Sequence, residues 1–183
     1  MTDHTGKLEN YRELLGLLGR MQLSVELIGK VDVSGVVQVT LMEAHHGGWE
    51  KLAEDDRAPW LRLVFANNLL DEIRKYRTRA RDVELEQSIQ AAVHQSASRL
   101  NRWMVSEQTS PSEKAVRAEN GVRLASALAC LPSAQRQAIE LHHLQELPLE
   151  EIGKRMNRSK GAVAALIFRG TTRLRELLRT GEE

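Results

Sequence analysis

Basic residues are concentrated in two stretches of this chain, although its 26 Lys and Arg side chains almost balance its 25 Asp and Glu side chains. Positions 150–179 contain eight Lys or Arg residues and three Glu residues, and positions 57–81 contain seven basic and two acidic residues. Such segregated charge suits the phosphates of a nucleic acid, whereas a net charge of +1 alone would not. The alternative is that both clusters are solvated faces of ordinary helices.

The C-terminal basic stretch has the pattern of two helices joined by a tight turn. Leu149, Ile152 and Met156 form an apolar face at helical spacing, and Pro148 suits the first helical position. Three polar residues then interrupt the pattern, and the last of them, Ser159, can cap a second helix. A short helix, a turn and a longer basic helix are typical of the helix-turn-helix, whose second helix enters the major groove of DNA.

A glycine stands in the middle of the first of these two helices. A glycine inside a helix, such as Gly153, makes the helix about 1 kcal/mol less stable than an alanine would. A close helix–helix crossing would explain this choice, because no side chain then blocks the approach. We therefore expect a close crossing at Gly153.

The N-terminal basic stretch contains a predicted helix, which Pro59 is expected to open and whose C-terminal end is basic. Four arginines lie within the eight residues 74–81, which is more than a helix needs to complement its dipole. A nucleic-acid partner is therefore predicted here as well. Tyr76, which lies among these arginines, could stack on an unpaired base for about 1–3 kcal/mol, or it could pack against the end of its own helix.

The composition predicts an all-α protein, because the chain has only four prolines and little alternation of apolar with polar residues. Helices are expected over residues 8–21, 23–28, 33–44, 112–129 and 133–144, with a partly helical linker over 82–111. The single cysteine, Cys130, lies in an apolar run and is predicted to be a small buried residue, which fits a reducing cytoplasm. No apolar run approaches the roughly 20 residues of a membrane span, so no membrane insertion is expected.

Neither a metal nor a cofactor is expected from the sequence. The pairs His45–His46 and His142–His143 are adjacent residues, which do not share a helix face, and no further ligand stands at a suitable spacing. No carboxylate pair, nucleophile with its base, or phosphate-binding loop is visible either. The sequence therefore predicts a protein that is not an enzyme.

Two parts of the chain resemble conserved regions of a known family. The segment LPSAQRQAIELHHLQELPLEEIGKRMNRSKGAVAALIFRGTTRLREL resembles region 4 of sigma-70-family initiation factors, in particular the extracytoplasmic-function (ECF) group. The LP entry, the LEEIGKRM helix and the S-x-G-A-V start of the next helix carry this resemblance. The segments VDVSGVVQVTLMEAH and APWLRLVFANNLLDEIRKYRTRARDV resemble region 2. Together the two resemblances cover nearly the whole chain.

The resemblance implies a two-domain initiation factor made of two small helical domains. Residues 8–81 would bind core RNA polymerase and the −10 element, residues 82–111 would form the linker, and residues 112–180 would bind the −35 element as duplex. Such factors do no covalent chemistry and exchange duplex pairing for contacts to unpaired bases. Core RNA polymerase and promoter DNA are the implied partners, with an anti-sigma factor as a further candidate.

The resemblance also assigns roles to residues of the first domain. The polymerase-binding pattern D-L-V-Q-E-T corresponds to Gly35–Thr40 here, which keeps Gln38 and Thr40 as contact residues but lacks both acids. The pattern W-L…N…D…R-R places the −10 contacts on one helix and its basic end. From this pattern come Trp60, Asn67 or Asn68, Asp71, Arg74 and Lys75. Tyr76 and Arg77, which follow directly, are the further expected contacts.

In the second domain the recognition helix departs from the family pattern. Ala164, Ala165 and Leu166 stand where the family usually has basic or polar residues. Such side chains can touch a thymine methyl group but cannot make a bidentate contact to guanine. Binding of the −35 element is therefore expected to depend on phosphates and groove shape more than on base hydrogen bonds. The residues expected to reach DNA are Arg158, Ser159, Lys160, Phe168, Arg169 and Arg173.

Two other functions compete with this interpretation. The first is a stand-alone helix-turn-helix regulator that binds a duplex operator as a dimer, which would leave the basic stretch at 57–81 unexplained. The second is a helical interaction protein of the anti-sigma or adaptor type, whose basic helices would hold an acidic partner without any affinity for DNA.

Overall fold

The computed structural model describes residues 4–24, 27–76, 83–107 and 114–180. Most of these residues are helical and none of them forms a strand, which confirms the all-α prediction. The helices are α1 His4–Glu9, α2 Tyr11–Gln22, α3 Val33–His46, α4 Glu54–Tyr76, α5 Val83–Glu107, α6 Lys114–Ala129, α7 Ser133–Ile139, α8 Leu149–Met156 and α9 Lys160–Thr180, with a 3₁₀ turn at Trp49–Lys51 and a π turn at Glu140–Leu144.

The N-terminal part differs from the predicted boundaries. The single helix expected over 8–21 is divided at Asn10 into α1 and α2. The helix expected over 23–28 is not formed in its described residues, because the backbone of Leu23 is extended and ends α2. The following turn reaches Gly29, whose φ of 83° requires a residue without a Cβ atom.

Helix α4 begins five residues before the predicted start at Pro59, which instead lies inside the helix. Three acidic side chains, Glu54, Asp55 and Asp56, occupy its first turn and complement the positive end of the helix dipole. At the other end of the chain, the helix predicted over 133–144 changes into the π turn after α7. The prediction for Cys130 was wrong, because this side chain follows the last residue of α6 and is exposed.

One continuous apolar core joins α2 and α4 to α5, α6 and α9. Leu18 of α2 and Phe65 of α4 are both completely buried in it. Helix α5, which covers most of the predicted linker, contributes Val93 and Leu100 to the same core, each 1% exposed. The division of the chain into 8–81, 82–111 and 112–180 stays a prediction.

Polar contacts reinforce the packing of α2 against the second half of the chain. Arg20 Nη2 donates to Glu140 Oε1 of the π turn at 3.0 Å. Gln22 Nε2 donates to Ser96 Oγ of α5, also at 3.0 Å. Helix α2 is therefore held by the core and by contacts to elements that lie more than 70 residues away in sequence.

A second, smaller apolar cluster lies beneath α8 and α9. Leu141, Ile152 and Val163 are buried at its centre. Helix α7 packs across α9 at Gly170, where an added Cβ atom would lie 2.6 Å from the Cδ1 atom of Ile139. This packing fixes α9 on the body of the protein. None of the helices described is long and apolar enough to cross a membrane.

Candidate nucleic-acid interface

The turn between α8 and α9 is set by two residues with complementary backbone requirements. Asn157 has a left-handed backbone with φ 50° and ψ 51°, a conformation that asparagine tolerates better than most residues. The amide of Arg158 then donates to the carbonyl oxygen of Gly153 at 2.9 Å. A Cβ atom on Gly153 would lie only 2.7 Å from the Arg158 carbonyl oxygen. The predicted close approach at Gly153 exists, but it is made to the backbone of the turn rather than to a crossing helix.

Ser159 caps α9, as the sequence predicted. Its Oγ atom accepts a hydrogen bond from the Ala162 amide at 3.2 Å, and its carbonyl oxygen accepts one from Val163 at 3.0 Å. The first of these bonds satisfies an amide that has no partner within the helix, and the second is the first backbone bond of α9. The hydroxyl of Ser159 therefore fixes where the recognition helix begins.

An open cleft of about 540 Å³ lies between α8, the turn and the start of α9. Three cations line it, namely Lys154, Arg158 and Lys160. Lys160 donates to the carboxylate of Glu150, and this hydrogen bond lowers the pKa of Glu150. Lys154 and Arg158 are exposed, and neither forms an ion pair with any residue that the structure describes. The cleft therefore presents positive charge at the N-terminal end of α9, where helix amides also favour anions.

The outward face of α9 is flat near its start and carries one protruding ring farther along. Ala164 is exposed, and a Cβ atom added at Gly161 would meet no atom within 4 Å. Phe168 is 72% exposed, and the neighbouring Arg169 is exposed with no ion pair in the described part of the chain. Arg173 is also exposed, but its guanidinium donates to Glu176 at 2.8 Å. Because the residues at the start of α9 are small, the walls of a DNA groove could approach this part of the helix closely.

Residues 121–174 match the family model for sigma-70, region 4. The chain contains a sigma-70 region 4. The matched residues include α7 and α8, most of α6 and the greater part of α9, and therefore the whole cleft. No curated protein matches the chain, and no solved structure does. Region 4 confirms the predicted helix-turn-helix and makes DNA binding in transcription initiation the general function of this part of the chain.

Outside region 4, the two asparagines predicted to contact the −10 element form hydrogen bonds within the protein. Asn68 Nδ2 donates to Thr40 Oγ1 at 3.1 Å and to Glu43 Oε2 at 2.8 Å, so that it joins α4 to α3. Asn67 is exposed, and its Oδ1 atom accepts a hydrogen bond from Gln90 of α5 at 2.9 Å. Of the two, Asn67 is thus the more accessible to a base.

The other predicted −10 residues are spread along α4. Arg74 Nη1 donates to Asp71 Oδ1 at 3.0 Å, one turn away on the same helix. Lys75 donates to Glu72, a contact that raises the pKa of Lys75. Tyr76 is 47% exposed at the end of α4. Trp60 is half-buried and packs against the core, whereas Arg77 lies outside the described residues.

The two predicted polymerase contacts have opposite surroundings on α3. Gln38 is exposed. Thr40 is 0% exposed and donates from its hydroxyl to the carbonyl oxygen of Val36 at 2.8 Å. Thr40 is therefore buried while α3 and α4 stay packed, and its role as a polymerase contact stays a prediction. The same helix exposes two apolar side chains that the sequence analysis missed, Val39 at 47% and Met42 at 54%.

Lys154 was also missed by the sequence analysis, although it lines the cleft of region 4. The sequence did contain an indication, because Lys154 lies four residues before Arg158. However, Asn157, which ends α8, lies between the two. Reading these two residues as one cationic site requires the geometry of the turn, which brings the end of α8 beside the start of α9.

Proposed function

We propose that this protein is an ECF-type sigma factor that directs core RNA polymerase to specific promoters and assists promoter opening. The observation that carries this proposal is region 4 with its cationic cleft at the start of α9. The preceding helices support it, because their sequence resembles region 2 and ends in a run of arginines. Because its partner would be core RNA polymerase, we place its action in the cytoplasm.

Region 4, within the proposed domain 112–180, would bind the −35 element as duplex. Arg158, Lys154 and Arg169 are exposed cations that suit phosphates. Lys160 and Arg173 would join them by exchanging a glutamate for a phosphate oxygen, and the exposed ring of Phe168 would enter the groove. The small residues at the start of α9 favour close backbone approach over base hydrogen bonds, and this supports recognition by phosphate position and groove shape.

The proposed domain 8–81 would bind core polymerase and the unpaired −10 strand. Gln38, with the exposed apolar residues beside it on α3, is the proposed polymerase contact. Asn67 and Tyr76 are the most accessible candidates for bases. The remaining proposed −10 contacts are Trp60, Asp71, Arg74, Lys75 and Arg77, with Asn68 supporting the helix that carries them. An anti-sigma factor is a candidate regulator.

The test is run-off transcription with purified core polymerase on fragmented genomic DNA, with and without the full-length protein. The proposal predicts a set of start sites that appears only when the protein is present. Permanganate reactivity of thymines just upstream of those starts would report promoter opening. Binding of a palindromic duplex by the protein alone, without any protein-dependent start site, would instead favour the stand-alone regulator.

A further inference from the structure

A second cleft, distinct from region 4, lies between α4 and α5. It has a volume of about 200 Å³ and is more enclosed than the cleft of region 4. Ala66 and Val93 form its apolar wall, and they are 2% and 1% exposed. Leu63, at 48% exposure, is an apolar residue at the rim. The lining is therefore mostly apolar.

One cation, Arg62, stands among these apolar residues and has no counterion among the residues that the structure describes. The side chain is half-buried, and its Nε atom is enclosed and forms no hydrogen bond. No carboxylate of the described residues pairs with it, and the one ionisable group that acts on it is the phenol of Tyr11. Burial lowers the pKa of Arg62 and raises the pKa of Tyr11, so the phenol is neutral and does not compensate the charge. An arginine nevertheless stays protonated in proteins, so the cleft holds an uncompensated positive charge.

The other polar groups of the cleft leave this charge available to a ligand. Gln90 is already engaged, because its Nε2 atom donates to Asn67 at 2.9 Å. His94 lines the cleft from α5, and its side chain is exposed. Its ring offers a second hydrogen-bond donor among the residues that line the cleft. An oxyanion that entered the cleft would therefore meet donors from both helices.

We propose that this cleft binds a carboxylate side chain of a protein partner, with a neighbouring apolar side chain of that partner against Ala66 and Val93. A carboxylate supplies the missing counterion of Arg62 and matches a guanidinium geometrically. The apolar wall does not suit a hydrated phosphodiester. The volume is below the roughly 300–1,000 Å³ of small-molecule sites but is suitable for an anchoring side chain. The exposed Leu63 extends the apolar contact beyond the rim. This inference does not depend on the proposed function.

The experiment uses the full-length protein with ¹³C-labelled methyl groups and a capped pentapeptide in which one glutamate stands between two leucines. We expect saturable shifts of the Ala66 and Val93 methyl signals. The matching peptide with glutamine should bind about tenfold more weakly, because a charge-assisted hydrogen bond is lost. Arg62→Met should weaken the binding of the glutamate peptide by a similar factor. Arg102→Met, an exposed arginine of α5 that does not line the cleft, should leave its affinity unchanged.

A second variant keeps the test decisive if Arg62→Met does not fold. Leu63→Gln changes an exposed rim residue and should weaken the glutamate peptide several-fold without loss of helix content by circular dichroism. Equal binding of the two peptides, or undiminished binding by a folded Arg62→Met, would overturn the proposal. The proposal would also be overturned if a ten-nucleotide oligothymidylate or 4-methylpentanoate bound more tightly than the glutamate peptide and this binding depended on Arg62. These results would assign the cleft to nucleic acid or to a small organic acid.

Discussion

The two predicted DNA-binding surfaces differ in which of their basic side chains already form ion pairs within the protein. In region 4, Lys154, Arg158 and Arg169 are exposed and form no ion pair with the described residues. On α4, by contrast, Arg74 and Lys75 each contact an acidic residue one turn earlier in the same helix. Both stretches have the same excess of five basic residues in the sequence, so charge counts alone do not reveal this difference.

This difference indicates that Lys154, Arg158 and Arg169 can bind phosphates without rearrangement, whereas Arg74 and Lys75 must first exchange their internal partners. For Lys75 that exchange is inexpensive, because an ion pair between residues three or four apart contributes only about 0.2–0.5 kcal/mol. For Asn68 it is more costly, because its amide holds the buried Thr40 and joins two helices.

The largest effect is expected at the turn of region 4. Gly153→Ala should lower the free energy of unfolding by about 2–3 kcal/mol, because the new methyl group would collide with the Arg158 carbonyl oxygen. It should also abolish binding of −35 duplex. Urea denaturation and fluorescence anisotropy measure the two quantities. Gly161→Ala is the matched control, since its methyl group would meet open space and should leave stability equal or slightly higher. Similar losses for both variants would contradict this account of the turn.

The two asparagines of α4 give the next comparison. Asn68→Ala should lower the free energy of unfolding by about 1–2 kcal/mol, because it removes two hydrogen bonds and leaves Thr40 without one of its partners. Asn67→Ala, at an exposed position, should change it by no more than about 0.5 kcal/mol. Thermal unfolding checks both values. If Asn68→Ala left stability unchanged and only weakened single-strand binding, its assignment as a structural residue would be wrong.

Arg169→Ala should reduce affinity for every duplex by about three- to tenfold and reduce the slope of log affinity against log salt by about 1. The reason is that an exposed guanidinium without an internal partner is free to neutralise one phosphate. Arg155→Ala is the control, because Arg155 contacts Glu151 on α8 at 3.2 Å and should matter less. Anisotropy titrations at several salt concentrations give both quantities. A loss confined to one base-pair position would show base readout by Arg169 instead.

The smallest expected effect is on the free energy of unfolding, and it distinguishes two arginines of α4. Arg62→Met should leave the free energy of unfolding unchanged or raise it by up to about 1 kcal/mol, because an apolar side chain replaces a half-buried charge that has no counterion among the described residues. Arg57→Met should lower it instead, because Arg57 donates to the carbonyl oxygens of Leu52 and Glu50 and lies 5.1 Å from the ring centroid of Trp49. Chemical denaturation of both variants is the measurement, and a large loss for Arg62→Met would identify a stabilising contact that is absent from this account.

The sequence predicted those features of the fold that depend on local signals. Helix α3, the cap by Ser159 and the helix-turn-helix followed from periodicity and capping preferences, which act over a few residues. The early start of α4 was missed because its three acidic residues compete with Pro59 as a start signal. The burial of α5 was missed because its Gln-, Ser- and Ala-rich pattern is weak and its neighbours are distant in sequence.

The candidate site was predictable to the extent that it depends on exposed cations. The residues of α9 and of the turn lie on the surface that the sequence indicated. The roles of Asn68 and Thr40 could not be predicted, because their mutual hydrogen bond exists only once α3 and α4 pack. The unpaired state of Arg62 likewise depends on which side chains do not reach it, and no local pattern records this.

The most direct test of the central claim is run-off transcription from one promoter selected with the wild-type protein, compared with the double variant Arg158→Ala and Arg169→Ala. We expect the same start site, a yield reduced by at least about tenfold, and partial recovery at low salt, because phosphate contacts of region 4 would have been lost. An unchanged yield across the salt series would contradict the claim that these exposed cations hold the promoter duplex.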